Sequence, residues 1–303
     1  MVNPTDDEVE DVCSFSGIPE ETLKAALDEE ERARTDFDDG NFLFLVDVPM
    51  IEEDEDNDVY TTLPLGIIYN QKCIITVSLK SNPVLRNFIT GRDKVDTTKP
   101  VNFTLKFMLG NAKRFLYCLK QIDRKSHRLQ NDLEETMNNQ GILQLLDLEN
   151  SLVYFSTSLN ANYRVHEKLS KVEAVATREE YVDLYDDVVI ETQQAIEMCN
   201  IYKDTLNVTM DAYGSLISNN ANDSMKKLTL ITILLAIPTM IAGFWGMNMP
   251  VPFQENTSGN LLWFFVVMCT TLVATGIIAW IMLHVMKMFP KRKKKNKKNK
   301  DKR

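Results

Sequence analysis

Two long stretches of this chain carry no Asp, Glu, Lys or Arg, Leu228 to Gln254 and Asn256 to Met286. Each holds an apolar core of about 20 residues, enough at 1.5 Å per residue to cross a hydrocarbon layer of roughly 30 Å. The pattern predicts two transmembrane helices, 228–245 and 261–283, joined by a loop at 246–260. Upstream, Val101 to Ile237 contains no proline, and glycine only at Gly110, Gly141 and Gly214. Proline and glycine are the usual interruptions of helices, so their scarcity predicts long ones near 101–137 and 142–171, then one from about Arg178 to Trp245. If unbroken, the last is a stalk leading into the membrane.

The first 98 residues have a different grain. Thr5 with Glu8 is a capping-box pattern, and Pro19 sits at a second helix start. FLFLVDV, Phe42 to Val48, predicts a buried strand ending at Pro49. Thr61 to Leu79 predicts a hairpin turning at Asn70 to Lys72. The acids of Glu52 to Asp58 lack the glycine and distal glutamate of a calcium-binding helix-loop-helix, which favours a solvated hairpin loop. The expected fold class is α+β. Residues 1–98 form an α/β domain, 99–227 a helical and stalk region, and 284–303 a basic tail after the two spans.

On a helical wheel at about 100° per residue, Asn222, Met225, Thr229, Thr232, Ala236, Thr239 and Gly243 share a narrow arc of the stalk end and first span. The rest of that span is mostly Leu, Ile and Met. A small and polar stripe suits close packing of transmembrane helices, and equally a water-lined pore. Two spans cannot enclose a pore within one chain, so the pore reading requires several copies.

Charge orients the spans. Residues 287–303 hold eleven Lys or Arg against one Asp, a net +10, so the formal charge of −9 leaves −19 on the rest. Lys226 and Lys227 flank the first span, while the connecting loop carries only Glu255. Both termini are therefore expected on the cytoplasmic side, with the loop outside. The acidic N-terminus, MVNPTDDEVEDV, does not read as a secretory signal. The tail reads as a polybasic anchor to anionic lipid, compatible with a basic collar around an ion exit, and no nucleic-acid partner is expected.

Candidate chemistry is sparse. Cys13, Cys73, Cys118, Cys199 and Cys269 form no C-x-x-C pair, and His127, His166 and His284 stand apart from any zinc-ligand pattern. No G-x-x-x-x-G-K-[ST] occurs, and no nucleophile, base and orienting acid form a motif. Neither an enzyme nor a nucleotide-driven pump is expected, and no catalytic cofactor.

The first hydrophobic run ends in MIAGFWGMN. Together with PEETLKAALDEEERAR, the strand FLFLVDVP, YVDLYDD in the stalk and the terminal KRKKK, it makes the chain resemble the CorA family of divalent-cation channels over nearly its full length. Trp245 departs from the Tyr that many relatives carry before the Gly-Met-Asn triplet. The resemblance implies a funnel-shaped homopentamer, the five first spans lining the pore and the second spans forming an outer ring. It places Gly246, Met247 and Asn248 at the external mouth as the ion-selecting element. A ring of neutral amide oxygens suits magnesium, which dehydrates reluctantly and can be held with its water shell. The resemblance also implies closure by cytoplasmic magnesium held between subunits; the YVDLYDD match points to Asp183, with Asp186 and Asp187 beside it, and a count back from the triplet favours Asp187. Magnesium is then both substrate and regulatory ligand, with cobalt a side substrate. Transport of zinc or nickel by a relative, and a membrane-tethered coiled-coil scaffold, are the competing readings.

Overall fold

The structure is a computed structural model that describes residues 1–38, 40–52, 58–136, 139–171, 175, 177–246 and 260–287. It divides into two compact units, Met1–Ala212 and Tyr213–Arg303.

The first unit is built on a four-stranded antiparallel sheet of β1 (Arg34–Asp38), β2 (Asn41–Glu52), β3 (Val59–Tyr69) and β4 (Ile74–Ser78), in that spatial order. β2 is buried on both sides, which is why it reads as a continuous apolar run rather than an alternating one. Leu43 and Leu45 face one layer with Val9, Ile18, Leu23 and Ala26, from α1 (Asp6–Ser16), α2 (Glu20–Lys24) and the segments that follow them. Phe44, Val46 and Val48 face the other with Phe107, Val165 and Val188. That second layer comes from α4 (Pro100–Thr136), α5 (Asn139–Leu169) and the start of α6 (Glu179–Trp245). The short α3 (Pro83–Ile89) packs beside α4. A fully buried side chain such as Phe44 contributes about 1.5–3 kcal/mol. The boundary expected at residue 98 therefore separates stretches of chain rather than packed bodies, because sheet and helices share one core.

Local signals explain most of the element ends. The Thr5 hydroxyl accepts from the Glu8 N–H, and the Thr5 N–H donates to the Glu8 carboxylate, so the capping box is complete. The β3–β4 turn is held by the Asn70 side-chain carbonyl, which accepts from the N–H groups of Lys72 and Cys73.

Two expectations need correction. Pro49 does not end its strand; β2 runs on to Glu52, with Pro49 opposite Thr62 and Asp47 opposite Pro64. β1 pairs only with Asn41–Leu45 and β4 only with Leu65–Tyr69, so beyond those registers the outer edges of β2 and β3 are open. Pro49 shares the parity of Asp47, whose N–H leaves the ladder for the Asn162 side chain at 2.9 Å. A proline nitrogen aimed at an open edge forfeits no ladder bond. The second correction is β1 itself, whose sequence RTDFD is too polar to announce a strand. Of the acidic loop between β2 and β3, residues 53–57 lie outside the described residues.

The second unit contains the end of α6 and α7 (Asn260–Lys287). α6 is one helix of 67 residues with Pro238 inside it, as the stalk expectation required. Large apolar side chains stand exposed on both helices of this unit, among them Leu228, Leu235 and Phe244 on α6 and Leu272, Ile277 and Trp280 on α7.

Candidate functional site

Among the described residues, α6 is the helix with a stretch long and apolar enough to cross a membrane, and none of that stretch is buried within the chain. α7 adds the apolar segment Met268–Ile281. An apolar surface of this kind needs lipid or other copies of the chain around it.

All seven stripe residues, Asn222, Met225, Thr229, Thr232, Ala236, Thr239 and Gly243, are exposed on α6. The Thr229, Thr232 and Thr239 hydroxyls each donate to the carbonyl four residues earlier, those of Met225, Leu228 and Leu235, at 2.9, 2.9 and 2.8 Å. A hydroxyl whose proton is committed to the helix turns only acceptor lone pairs outward. The stripe therefore offers oxygen acceptors to water or to a hydrated cation. Pro238 has no N–H to offer the Leu234 carbonyl, and Leu234 lies on the face of the helix opposite the stripe. A β-carbon at Gly243 would meet nothing within 4 Å, so within one chain that glycine is not required by packing.

At the end of α6 the Gly246 N–H donates to the Ala242 carbonyl at 3.0 Å. A backbone requirement for glycine here, through a left-handed conformation or a close approach, finds little support. Gly246 is not among the positive-φ glycines, and an added β-carbon would lie 3.4 Å from the Ala242 oxygen, ordinary contact. Met247 and Asn248 lie outside the described residues.

Tyr181 in the YVDLYDD segment and Val188 just after it are buried in the first unit, with Leu184 and Tyr185 packed beside them. Asp183, Asp186 and Asp187 point the other way and are exposed. Among the described residues no group of three or more His, Cys, Asp or Glu side chains converges as a metal site. The three acids are therefore not brought together as a ligand set within one chain.

Three features escaped the sequence. An open cleft of about 730 Å³ is lined by Glu29, Glu30, Glu52 and Asp147, spread along its walls with Tyr60 and Tyr154. Its acids come from separate segments of sequence, so no spacing announces it; Glu52 is paired with Lys80. The second is a polar clip on β2. The side-chain amides of Asn111 and Asn162 both donate to the Asp47 carbonyl at 2.8 Å, and burial raises the Asp47 carboxyl above its usual range, against a hydrogen bond from Ser158. The third is His166, 3% exposed, its Nδ1 without a partner, pushed down to about 4 by burial.

Comparison with known proteins agrees with this architecture. The family model described as CorA-like Mg2+ transporter protein matches residues 1–293. The cobalt/magnesium transport protein CorA of Methanocaldococcus jannaschii is 28% identical over 285 residues, 92% of this chain and 87% of that protein. The protein of the same name from Thermotoga maritima is 24% identical over 281 residues, 91% of this chain and 78% of that one. The complete structure of the Methanocaldococcus jannaschii CorA magnesium transporter superposes with a TM-score of 0.78 at 26% identity, covering 95% of this chain and 89% of that chain. The cytoplasmic domain of ZntB from Vibrio parahaemolyticus shares the fold at 14% identity and a TM-score of 0.55, over 73% of this chain and 86% of that chain. With the family model spanning nearly every residue, this chain belongs to the CorA-like Mg2+ transporter family.

Proposed function

We propose that this protein is one subunit of a homopentameric membrane channel that takes up magnesium, with cobalt as a second substrate, down the electrochemical gradient. The observation that carries the reading is the unburied apolar stretch of α6 with its exposed line of acceptor oxygens at Thr229, Thr232 and Thr239. Such a helix is left incomplete by its own chain. Five copies around an axis bury the small stripe against water and turn Leu and Ile toward α7 and lipid.

In this reading α6 and α7 supply two spans per subunit, with both termini cytoplasmic. The threonine oxygens solvate a magnesium ion that keeps its inner waters, since magnesium gives them up reluctantly. Asn248, with Gly246 and Met247, forms the outer ring that meets the ion first. An inside-negative potential supplies about 2.3 kcal/mol per charge per 100 mV, hence roughly 4.6 for a divalent cation, so uptake needs a gate and no fuel. Asp183, Asp186 and Asp187 serve that gate. They are exposed on one chain and form no site there, so the remaining donors of a regulatory magnesium come from a neighbouring copy. When the ion leaves, the gathered carboxylates repel and the subunits separate.

The test is magnesium flux into proteoliposomes of the purified protein, with cobalt and zinc compared. Saturable magnesium and cobalt influx is expected, abolished by Asn248→Ala at unchanged oligomer size. Absence of flux from a stable pentamer favours the scaffold reading, and near-normal flux in Asn248→Gly removes Asn248 from selection.

A further inference from the structure

A recess of about 320 Å³ lies where α3 ends against α4. Its charge runs against the composition of the protein. Arg92, Lys94, Lys106 and Lys113 line it with a single carboxylate, Asp93, although the chain outside its tail is strongly acidic. Among the described residues none of the four cations belongs to an ion pair. Asp96, outside the lining, is held below the usual carboxylate range chiefly by Thr98, with Lys106 a minor contributor.

The cations are positioned by backbone rather than chance. α3 closes in a Schellman motif: Gly91 is left-handed at φ 70°, its N–H donates to the Phe88 carbonyl at 3.2 Å, and the Arg92 N–H donates to the Asn87 carbonyl at 3.0 Å. The Asn87 and Phe88 carbonyls are thereby satisfied, and Arg92 leaves the turn in a set direction. Lys106, Leu109 and Lys113 recur at helical spacing and share one face of α4. α4 lies close to α3 because Gly110 has no β-carbon; one would stand 2.6 Å from Val84 Cγ1. The Lys106 ammonium donates one hydrogen to the Lys94 carbonyl at 2.8 Å, which fixes it and leaves two donors. Phe88 and Leu109 supply an apolar wall.

We propose that this recess binds the phosphate groups of a small soluble anion of the di- or triphosphate class. Four cations around a recess against the one carboxylate of Asp93 leave an excess of positive charge that a multiply charged phosphate chain neutralises. The volume, at the small end of ligand clefts, suits the phosphate portion, and Phe88 with Leu109 offers a surface to an attached organic group. Such anions are also the chemical class that complexes magnesium, which would let the domain sense the form in which its cation is held. A phospholipid headgroup carries the same phosphate chemistry, and the experiment separates the two sources.

Pyrophosphate is titrated calorimetrically into the full-length protein in detergent, in metal-free buffer with chelator. One saturable site per chain is expected, weaker as salt rises. The Lys106→Gln/Lys113→Gln double variant should bind at least tenfold more weakly with an unchanged unfolding midpoint, and Lys120→Gln, on α4 but outside the recess, should bind as the parent does. Should the double variant fail to fold, Arg92→Gln at an exposed loop position is read instead, with at least a threefold loss. Absence of saturable binding, or binding that these variants retain, overturns the proposal, the second result pointing to the basic tail. In parallel, sedimentation with anionic and neutral phospholipid vesicles is compared between parent and double variant. Vesicle binding lost in the variant while free pyrophosphate never binds would assign the recess to lipid and overturn the soluble anion.

Discussion

His166 makes the fold of the first unit sensitive to acid in a way that can be isolated from every other group. It is 3% exposed on α5, and burial alone pushes it from the ordinary 6.5 down to about 4. The neutral imidazole is thus the folded form, while the unfolded chain takes up a proton as pH falls through 6.5. A depressed histidine contributes stability that is fully present above 6.5 and is lost as pH falls toward 4. The shift corresponds to about 3.4 kcal/mol over the whole window, and about 2 kcal/mol is already lost between pH 7.5 and 5. His166→Leu removes the titration and the orphaned Nδ1 together. The assay is equilibrium urea unfolding of parent and variant in detergent, followed by far-UV circular dichroism at pH 7.5 and 5. Carboxylates common to both proteins cancel in the difference. The variant should gain about 2 kcal/mol on the parent between the two pH values, or roughly 4–8 °C in thermal midpoint for a body of this size. A parent-minus-variant difference that stays flat across that interval refutes the reasoning, and would mean that the ring reaches water or a proton acceptor in the folded state.

Gly110→Ala should destabilise the first unit by about 1–3 kcal/mol, since the new β-carbon falls 2.6 Å from Val84 Cγ1, and Gly110→Ala with Val84→Ala should recover part of the loss on the same unfolding curve. Asn162→Ala leaves the Asp47 N–H without its acceptor and removes one of two donors to the Asp47 carbonyl; a loss of about 1–3 kcal/mol is expected, with faster amide exchange at the open edge of β2. Neutralising Asp183, Asp186 and Asp187 together should diminish the protection of α6 from protease by added magnesium while the unfolding midpoint stays close to that of the parent, because the three side chains are exposed. Unchanged protection would move the magnesium sensor elsewhere.

The helices were legible in the sequence because their signals are local. The run without proline gave α4, α5 and α6 within three residues of their observed ends, and the Thr5–Glu8 pair alone set the start of α1. The small and polar stripe with its threonines follows from a fixed 3.6-residue period, so its common face was determined before any packing was known. What only tertiary structure decided involves partners distant in sequence. Strand β1 exists because RTDFD finds the edge of β2 at Asn41–Leu45, and Pro49 is tolerated because, among the described residues, no strand covers that edge beyond Leu45. His166 is displaced only because the core closes around it, while the four cations of the α3–α4 recess meet because Gly110 lets two helices approach. The three stalk acids show the remaining step: the sequence places them on one helix and the fold exposes them, while among the described residues no three His, Cys, Asp or Glu side chains converge.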